Sequence, residues 1–323
     1  MSGGSILKPR FAAWLFPAGL IAPGADGASA QDYPNKPLRI ITSGIGGGND
    51  FKARLIAQGL TVYLGQQVII DNRPNVIPNE LVARAAPDGY TLLLNGNPMW
   101  TQPLLEKTSY DPIRDFSPIT LVSTEPSVLV VNPSFPAESV PELIALAKAS
   151  PGKLNYASVG VGSSLHLAAE LFKAMAGVKI EHISYKGVGQ IMVDQLSGQV
   201  QLTFATVSSA VPFLTSRRLK GLAITSVQPY RLLPGMPTIA ASLPGYESLQ
   251  VVGIFAPAKT PAAIIHRLNQ EIVKALNVAD INEKFLSAKV EVIAGSPEAL
   301  AATVKSEMAK MGKLIKEAGI HVD

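Results

Sequence analysis

Two short stretches of this chain carry residue types that could do chemistry: Ser43-Gly44-Ile45-Gly46-Gly47-Gly48-Asn49-Asp50 and Ser158-Val159-Gly160-Val161-Gly162-Ser163-Ser164. Each follows an apolar run that reads as a strand and opens a segment that reads as a helix. The first backbone N–H groups of a helix have no partner within it, and the helix dipole adds partial positive charge there. Glycine lets the backbone come close to a ligand. Gly46, Gly47, Gly48 and Asn49 in one loop, and Ser158, Gly162, Ser163 and Ser164 in the other, are therefore candidate anion cradles. Each loop is equally a tight turn with no ligand. Neither is a phosphate-binding Gly-x-x-x-x-Gly-Lys-Ser/Thr, and Gly160-Val161-Gly162 lacks the third glycine of a dinucleotide fingerprint. Two half-sites facing one cleft suit a small ligand with acidic groups.

The neighbouring polar residues have two uses each. Asp50 either caps its helix or orients a water, hydroxyl or amine. Ser163 and Ser164 are caps or direct donors. His166, on the first turn after the second loop, is a packed group or a ligand contact. Lys186 is solvated or a carboxylate partner. Catalysis has little support. His166, His182, His266 and His321 lack zinc-ligand spacing, no Gly-x-Ser-x-Gly elbow occurs, and Ser163 with His166 has no evident orienting acid. No enzyme activity, metal or cofactor is expected, and a hydrolase of small acid derivatives is the weaker alternative.

The loops must be held by strands and helices that alternate along the chain. Leu38 to Thr42 reads as a strand and Asn49 to Tyr63 as a helix stopped at Gly65. Gln67 to Ile70 and Thr91 to Leu94 are further strands, with a helix over Glu80 to Ala86 between them. Ile119 to Val131 is β-branched and extended. The pattern then repeats: a helix over Pro141 to Ala149, a strand over Leu154 to Ala157, a helix over Ser163 to Ala176, a strand over Ile180 to Ser184 and a helix over Val188 to Leu196. Val200 to Phe204, Leu219 to Thr225 and Val251 to Ala256 are strands. Ile264, Leu268, Ile272 and Leu276 form a helical stripe, as do Leu300, Val304, Met308, Met311 and Ile315. Alternation implies a parallel, doubly wound sheet. Crossings near 125–133 and 250–257 predict a discontinuous first domain, 31–130 plus 255–323, enclosing a second, 131–254.

Composition narrows the class further. The chain has 323 residues, 47% hydrophobic and 16% charged, with a net charge of +4 and no cysteine. Its basic residues are scattered, so nucleic-acid binding is not supported. Lys8 and Arg10 precede an apolar stretch from Phe11 to Ala22, and Ala28-Ser29-Ala30 is a small-residue cleavage site. The stretch predicts a signal peptide over residues 1–30, cleaved near Ala30, and a periplasmic mature protein.

Several ordered blocks carry a resemblance. Tyr33-Pro34-Asn35-Lys36-Pro37-Leu38-Arg39, Ala53-Arg54-Leu55, Leu64-Gly65-Gln66, Asp71-Asn72-Arg73-Pro74, Ala86-Pro87-Asp88-Gly89-Tyr90, Asn155-Tyr156-Ala157-Ser158, Tyr185-Lys186-Gly187 and Gly198-Gln199-Val200 run in order. In these the chain resembles the tripartite tricarboxylate transporter substrate-binding proteins, or Bug family. The resemblance implies a type II periplasmic-binding-protein fold, two doubly wound α/β domains with a ligand cleft and hinge between them. It implies a monomeric, non-enzymatic receptor that captures a small mono- or dicarboxylate and delivers it to two integral-membrane transporter subunits. A periplasmic sensor signalling to a membrane partner is the alternative. The family's ligand loops map onto Gly46 to Asp50, Ser158 to Ser164 and Asn95-Gly96-Asn97. Tyr185, Lys186 and the Ala205-Thr206 turn fall on its second-domain side. The chain departs from the family at Thr42-Ser43-Gly44-Ile45, at Asn75-Val76-Ile77-Pro78-Asn79, and at Ala205-Thr206, where an acid and an asparagine are common.

Overall fold

The computed structural model describes residues 1–4, 33–74 and 76–317. Beyond its first four residues, the expected signal peptide and its cleavage point lie outside the described residues. β1 (Leu38–Thr42), α1 (Gly48–Leu64), β2 (Val68–Asn72), α2 (Ile77–Ala83) and β3 (Thr91–Gly96) wind so that β1 pairs in parallel with β2 and β3. A single-turn α3 (Pro98–Thr101) follows. After β4 (Phe116–Val131) and α4 (Val140–Ala149), the same winding recurs. β5 (Asn155–Ser158), α5 (Ser164–Ala176), β6 (Glu181–Ser184), α6 (Val188–Leu196) and β7 (Leu202–Thr206) place β5 in parallel between β6 and β7. Then come α7 (Val207–Thr215), β8 (Lys220–Ile224), β9 (Leu249–Pro257), α8 (Ala262–Leu276), α9 (Ala279–Ser287) and α10 (Pro297–Glu317).

The sheet is mixed rather than parallel throughout. β9 runs antiparallel to β3, and β4 runs antiparallel to β9, β7 and β8. Strand order is β2-β1-β3-β9-β4 in one part and β6-β5-β7-β4-β8 in the other. β4 serves both: Phe116 to Pro126 pair with β9, and Ser127 to Val131 pair with β7 and β8. This is the two-part arrangement of a type II periplasmic binding protein. The two βαβαβ windings are topologically equivalent, so the turn after β1 corresponds to the turn after β5, and the turn after β3 to the turn after β7.

Local chemistry sets the element ends. α1 stops where Gly65 takes φ +64°, and α5 where Gly177 takes φ +62°, conformations that cost glycine least. Ser163 caps α5 by accepting from the His166 amide at 3.3 Å. Helices cover both faces of each sheet. Ile56, Leu60, Leu268 and Ile272 pack on one side of the first, and Val82, Trp100, Leu300 and Val304 on the other. Phe172 and Ile191 lie in the two clusters flanking the second sheet. Double coverage explains why the central strands read as continuous apolar runs.

One ion pair lies inside this packing. Lys52 of α1 meets Glu125 of β4, both fully buried, at the point where β4 passes from one sheet to the other. The second carboxylate oxygen of Glu125, Oε2, has no partner among the described residues. Removing one member of such a pair strands a buried charge, whereas replacing both with apolar residues avoids that cost. Lys52→Met should therefore lose about 3–5 kcal/mol in urea unfolding, and Lys52→Met with Glu125→Leu should recover most of it. A double variant no more stable than the single would refute this account of the pair.

Candidate ligand site at the strand-to-helix turns

The turn after β1 is held from below by Asp50. Its carboxylate accepts from the Gly46 amide at 3.1 Å and from Asn72 Nδ2 at 3.0 Å, and pairs with Arg54 Nε at 2.9 Å. These contacts commit the side chain to shaping its own loop. Gly46 takes φ +83° and is exposed, while Gly47 and Gly48 are buried. Asn49 Nδ2 donates to Asn95 Oδ1 at 3.3 Å, the first link of a chain. Asn95 donates to Asn79 at 2.7 Å, and Asn79 to the Tyr110 hydroxyl at 2.9 Å. Buried amides satisfied in series hold the turns after β1 and β3 in one register.

The first loop packs against the other half of the molecule. A Cβ on Gly47 would lie 3.4 Å from Val188 Cγ2, and one on Gly46 would lie 3.8 Å from the Gly189 amide nitrogen. A Cβ on Gly48 would fall 2.8 Å from Ser208 Oγ and 3.0 Å from Thr206 Oγ1. The starts of α1, α6 and α7 therefore converge. Thr206 caps α7 through the Ser209 amide, but α1 and α6 begin at Gly47 and Gly187 with no side-chain cap. Helix starts without caps leave N–H groups for an external acceptor, and their dipoles favour an anion among them.

Gly162, at φ +76°, faces Gln102 and Leu105, and its carbonyl accepts from Thr101 Oγ1 at 3.4 Å. Ser163 is used as a cap, and its hydroxyl also donates to the Gly160 carbonyl at 2.7 Å. Ser164 Oγ donates to Gln250 Oε1 at 3.0 Å, and Gln250 Nε2 donates on to Ser127 Oγ at 3.1 Å, linking the loop to both crossing strands. Asn97 is similarly committed: it accepts from the Val251 amide at 2.7 Å and donates to Glu307 at 3.3 Å. The Tyr185 hydroxyl donates to Asp194 at 2.8 Å, and burial with that carboxylate pushes its pKa up to about 12. Lys186 is exposed, and it is its backbone carbonyl that approaches Gly44.

Beneath the second loop lies a cluster that residue spacing does not announce. Ser158 Oγ is 2.7 Å from His182 Nε2, and the ring centroids of His182 and His166 are 4.9 Å apart. Tyr156 stacks on His182 and donates to Glu170 at 2.5 Å, and Glu170 pairs with Lys173 at 2.6 Å. Ser158 is fully buried and accepts from the Gly160 amide at 3.2 Å, so its contact with His182 supports the loop and offers no open nucleophile. His166 Nδ1 is buried with no partner among the described residues. Burial, reinforced by His182, pushes the His166 pKa down to about 4.

The profile described as tripartite tricarboxylate transporter family receptor matches residues 52–320. The chain belongs to this family. It is 37% identical over 292 residues to a UPF0065 protein encoded in the tcbD–tcbE intergenic region of Pseudomonas sp. strain P51, covering 88% of this chain and 87% of that one. The solved structure of Rpa4515 from R. palustris with adipate superposes with a TM-score of 0.86 at 34% identity, covering 90% of this chain and 99% of the other. The periplasmic binding protein BugD superposes equally well, at 31% identity with 90% and 99% covered. The receptor is thus of the Bug type, a periplasmic solute-binding class.

Sequence reading missed Ser208, Val188 and Gly189, which meet the first loop across the interface. It also missed Asn79, Gln250, Glu307 and the Tyr156–His182 stack. Only spatial neighbours reveal them, because the partners lie tens to hundreds of residues apart. His166 makes one consequence measurable. Unfolded histidine takes up a proton near pH 6.5 and folded His166 only near pH 4, so the unfolded state binds more protons between these values. Stability should therefore drop as pH is lowered from about 6.5 to about 4, with a slope from this group of up to about 1.4 kcal/mol per pH unit. His166→Gln should flatten the slope in denaturant titrations from pH 7 to pH 4. An unaltered slope would show that the ring is not the group responsible.

Proposed function

We propose that this receptor captures a small mono- or dicarboxylate between two α/β lobes and hands it to integral-membrane transporter subunits. The observation that carries the reading is the convergence of the α1, α6 and α7 starts, two of them without side-chain caps, at the carboxyl ends of parallel strands. Open α/β sheets bind ligands there, and backbone amides with helix dipoles recognise a carboxylate without a full opposing charge. Adipate in the R. palustris relative supports a dicarboxylate. Strand pairing supports lobe boundaries near 126/127 and 248/249, a few residues before the 130/131 and 254/255 expected from sequence.

In this reading Gly46, Gly47, Gly48 and Asn49 receive one carboxyl group, with Thr206 opposite. Gly162, Ser163 and Ser164 supply the other side, while Asp50, Ser158, His166, Asn97 and Tyr185 act mainly by holding those loops. Lys186 contributes its backbone. The signal peptide expected over residues 1–30 and the periplasmic BugD relative support export to the periplasm. The receptor works as a monomer, uses no cofactor and releases its ligand unchanged.

Calorimetry with adipate and shorter dicarboxylates tests capture. A bound acid should stabilise the folded chain by mass action, by about 2.7 kcal/mol at a hundred times Kd, and so raise the melting temperature. Val188→Pro deletes one amide at the first position of α6, where proline fits the helix. It should weaken binding by roughly tenfold or more, the value of a hydrogen bond to a charged group, with the melting temperature nearly unchanged. Full affinity in that variant would remove the α6 start from the site, and recovery of a chemically altered acid would favour the hydrolase instead.

A further inference from the structure

Gly48 poses a problem that ligand binding does not answer. It occupies the first turn of α1 in ordinary helical backbone, where glycine is a poor choice and any L residue fits the conformation. Its amide would serve a carboxylate equally well with a side chain attached. What excludes a side chain is the opposite half of the protein. A Cβ here would stand 2.8 Å from Ser208 Oγ, 3.0 Å from Thr206 Oγ1 and 3.3 Å from Thr206 Cβ.

These obstacles differ in stiffness. Ser208 can swing its hydroxyl aside. Thr206 cannot, because Oγ1 caps α7 through the Ser209 amide at 3.3 Å and contacts Ser209 Oγ, and Cβ is fixed by the backbone. Rotating Thr206 would uncap α7. The neighbouring contact is ordinary van der Waals packing: a Cβ on Gly44 would lie 3.4 Å from the Lys186 carbonyl oxygen and 3.9 Å from Gly187 Cα.

We infer that Gly48 is a positioning residue for closure: its missing side chain lets the start of α1 seat against Thr206 and Ser208, and so sets how far the two lobes can approach. The inference rests on the two-lobe receptor reading. It implies that bulk at residue 48 props the lobes apart without harming either one, since each lobe keeps its own core and α1 gains a better helix former. Ligand affinity then falls because the closed, binding-competent fraction falls.

The chain contains no cysteine, so a pair introduced as Gly44→Cys and Gly187→Cys reports lobe contact by disulfide formation. Neither glycine needs a positive φ, and the approach of Gly44 to Gly187 is within disulfide span. Under mild oxidation without added acid, this pair should cross-link in the full chain. Gly48→Ala should slow the cross-linking, and Gly48→Leu should slow it further, by about tenfold. Thr206→Gly with Ser208→Ala should restore the rate in the Gly48→Ala background, since glycine is accepted at a helix cap. Melting temperatures of the Gly48 variants should stay level or rise. Equal cross-linking rates in all variants would overturn the inference, as would a Gly48→Ala defect that the opposing pair leaves unrelieved. Absence of cross-linking in the parent pair would overturn it too, because the lobes would not meet at this contact. Carboxylate binding by the chain without these substitutions is measured separately, so failure of that reading is distinguishable.

Discussion

The molecule depends on β4. Its first eleven residues hydrogen-bond to β9 and its last five to β7 and β8, so one continuous strand belongs to two sheets. A strand buried on both faces cannot leave its backbone groups unpaired, and β4 satisfies them by changing partners at Pro126/Ser127 without breaking. The change of partners forces the antiparallel direction: chain that enters the second sheet must return through the first, and β9 is that return. Ser127, Thr225, Ser248 and Gln250 knit the crossing together, with Thr225 Oγ1 accepting from the Ser127 amide at 2.7 Å and donating to the Ser248 carbonyl at 2.5 Å. The Lys52–Glu125 pair ties α1, and so the first glycine loop, to the same point.

Around that axis the chain builds one solution twice. Two βαβαβ windings present four corresponding turns, and the turns meet crosswise. The turn after β1 packs against the turns after β6 and β7, and the turn after β5 packs against the segment following β3. Helix starts necessarily face one another in this arrangement. Facing positive ends repel, and an anion between them would relieve the repulsion, which is the physical basis of the proposed carboxylate capture. Side chains then do different work. Asp50, Asn95, Asn97, Ser158 and Ser163 spend their hydrogen bonds on loop shape, which fixes where the backbone amides of these turns stand.

The α10 helix adds a contact between the halves that the loops do not make. Met311 and Ile315 pack with Leu167 of α5, Glu307 accepts from Asn97, and Lys310 pairs with Glu247 ahead of β9. The second loop is thereby supported from the far end of the chain. Contact between the halves thus involves packed apolar surface as well as the polar turns.

Much of the architecture was legible in the sequence. Periodicity located most of the elements, because doubly covered strands are apolar throughout and amphipathic helices such as α8 repeat at a fixed spacing. Glycine-serine runs at strand-to-helix turns marked both loops, since few other residues tolerate φ near +80° or cap a helix. Ordered family blocks identified the receptor class. Tertiary structure alone decided the rest. The antiparallel crossing strands came from pairing between segments over a hundred residues apart, to which local periodicity is blind. Whether Asp50, Ser163 and Asn97 face a ligand or their own loop depended on partners such as Asn72, Gly160 and Val251 brought within 3 Å by folding. Gly48 makes the distinction plain. The sequence marks it as one glycine among three in a flexible-looking run, whereas the folded chain shows Thr206 and Ser208 standing where its side chain would be.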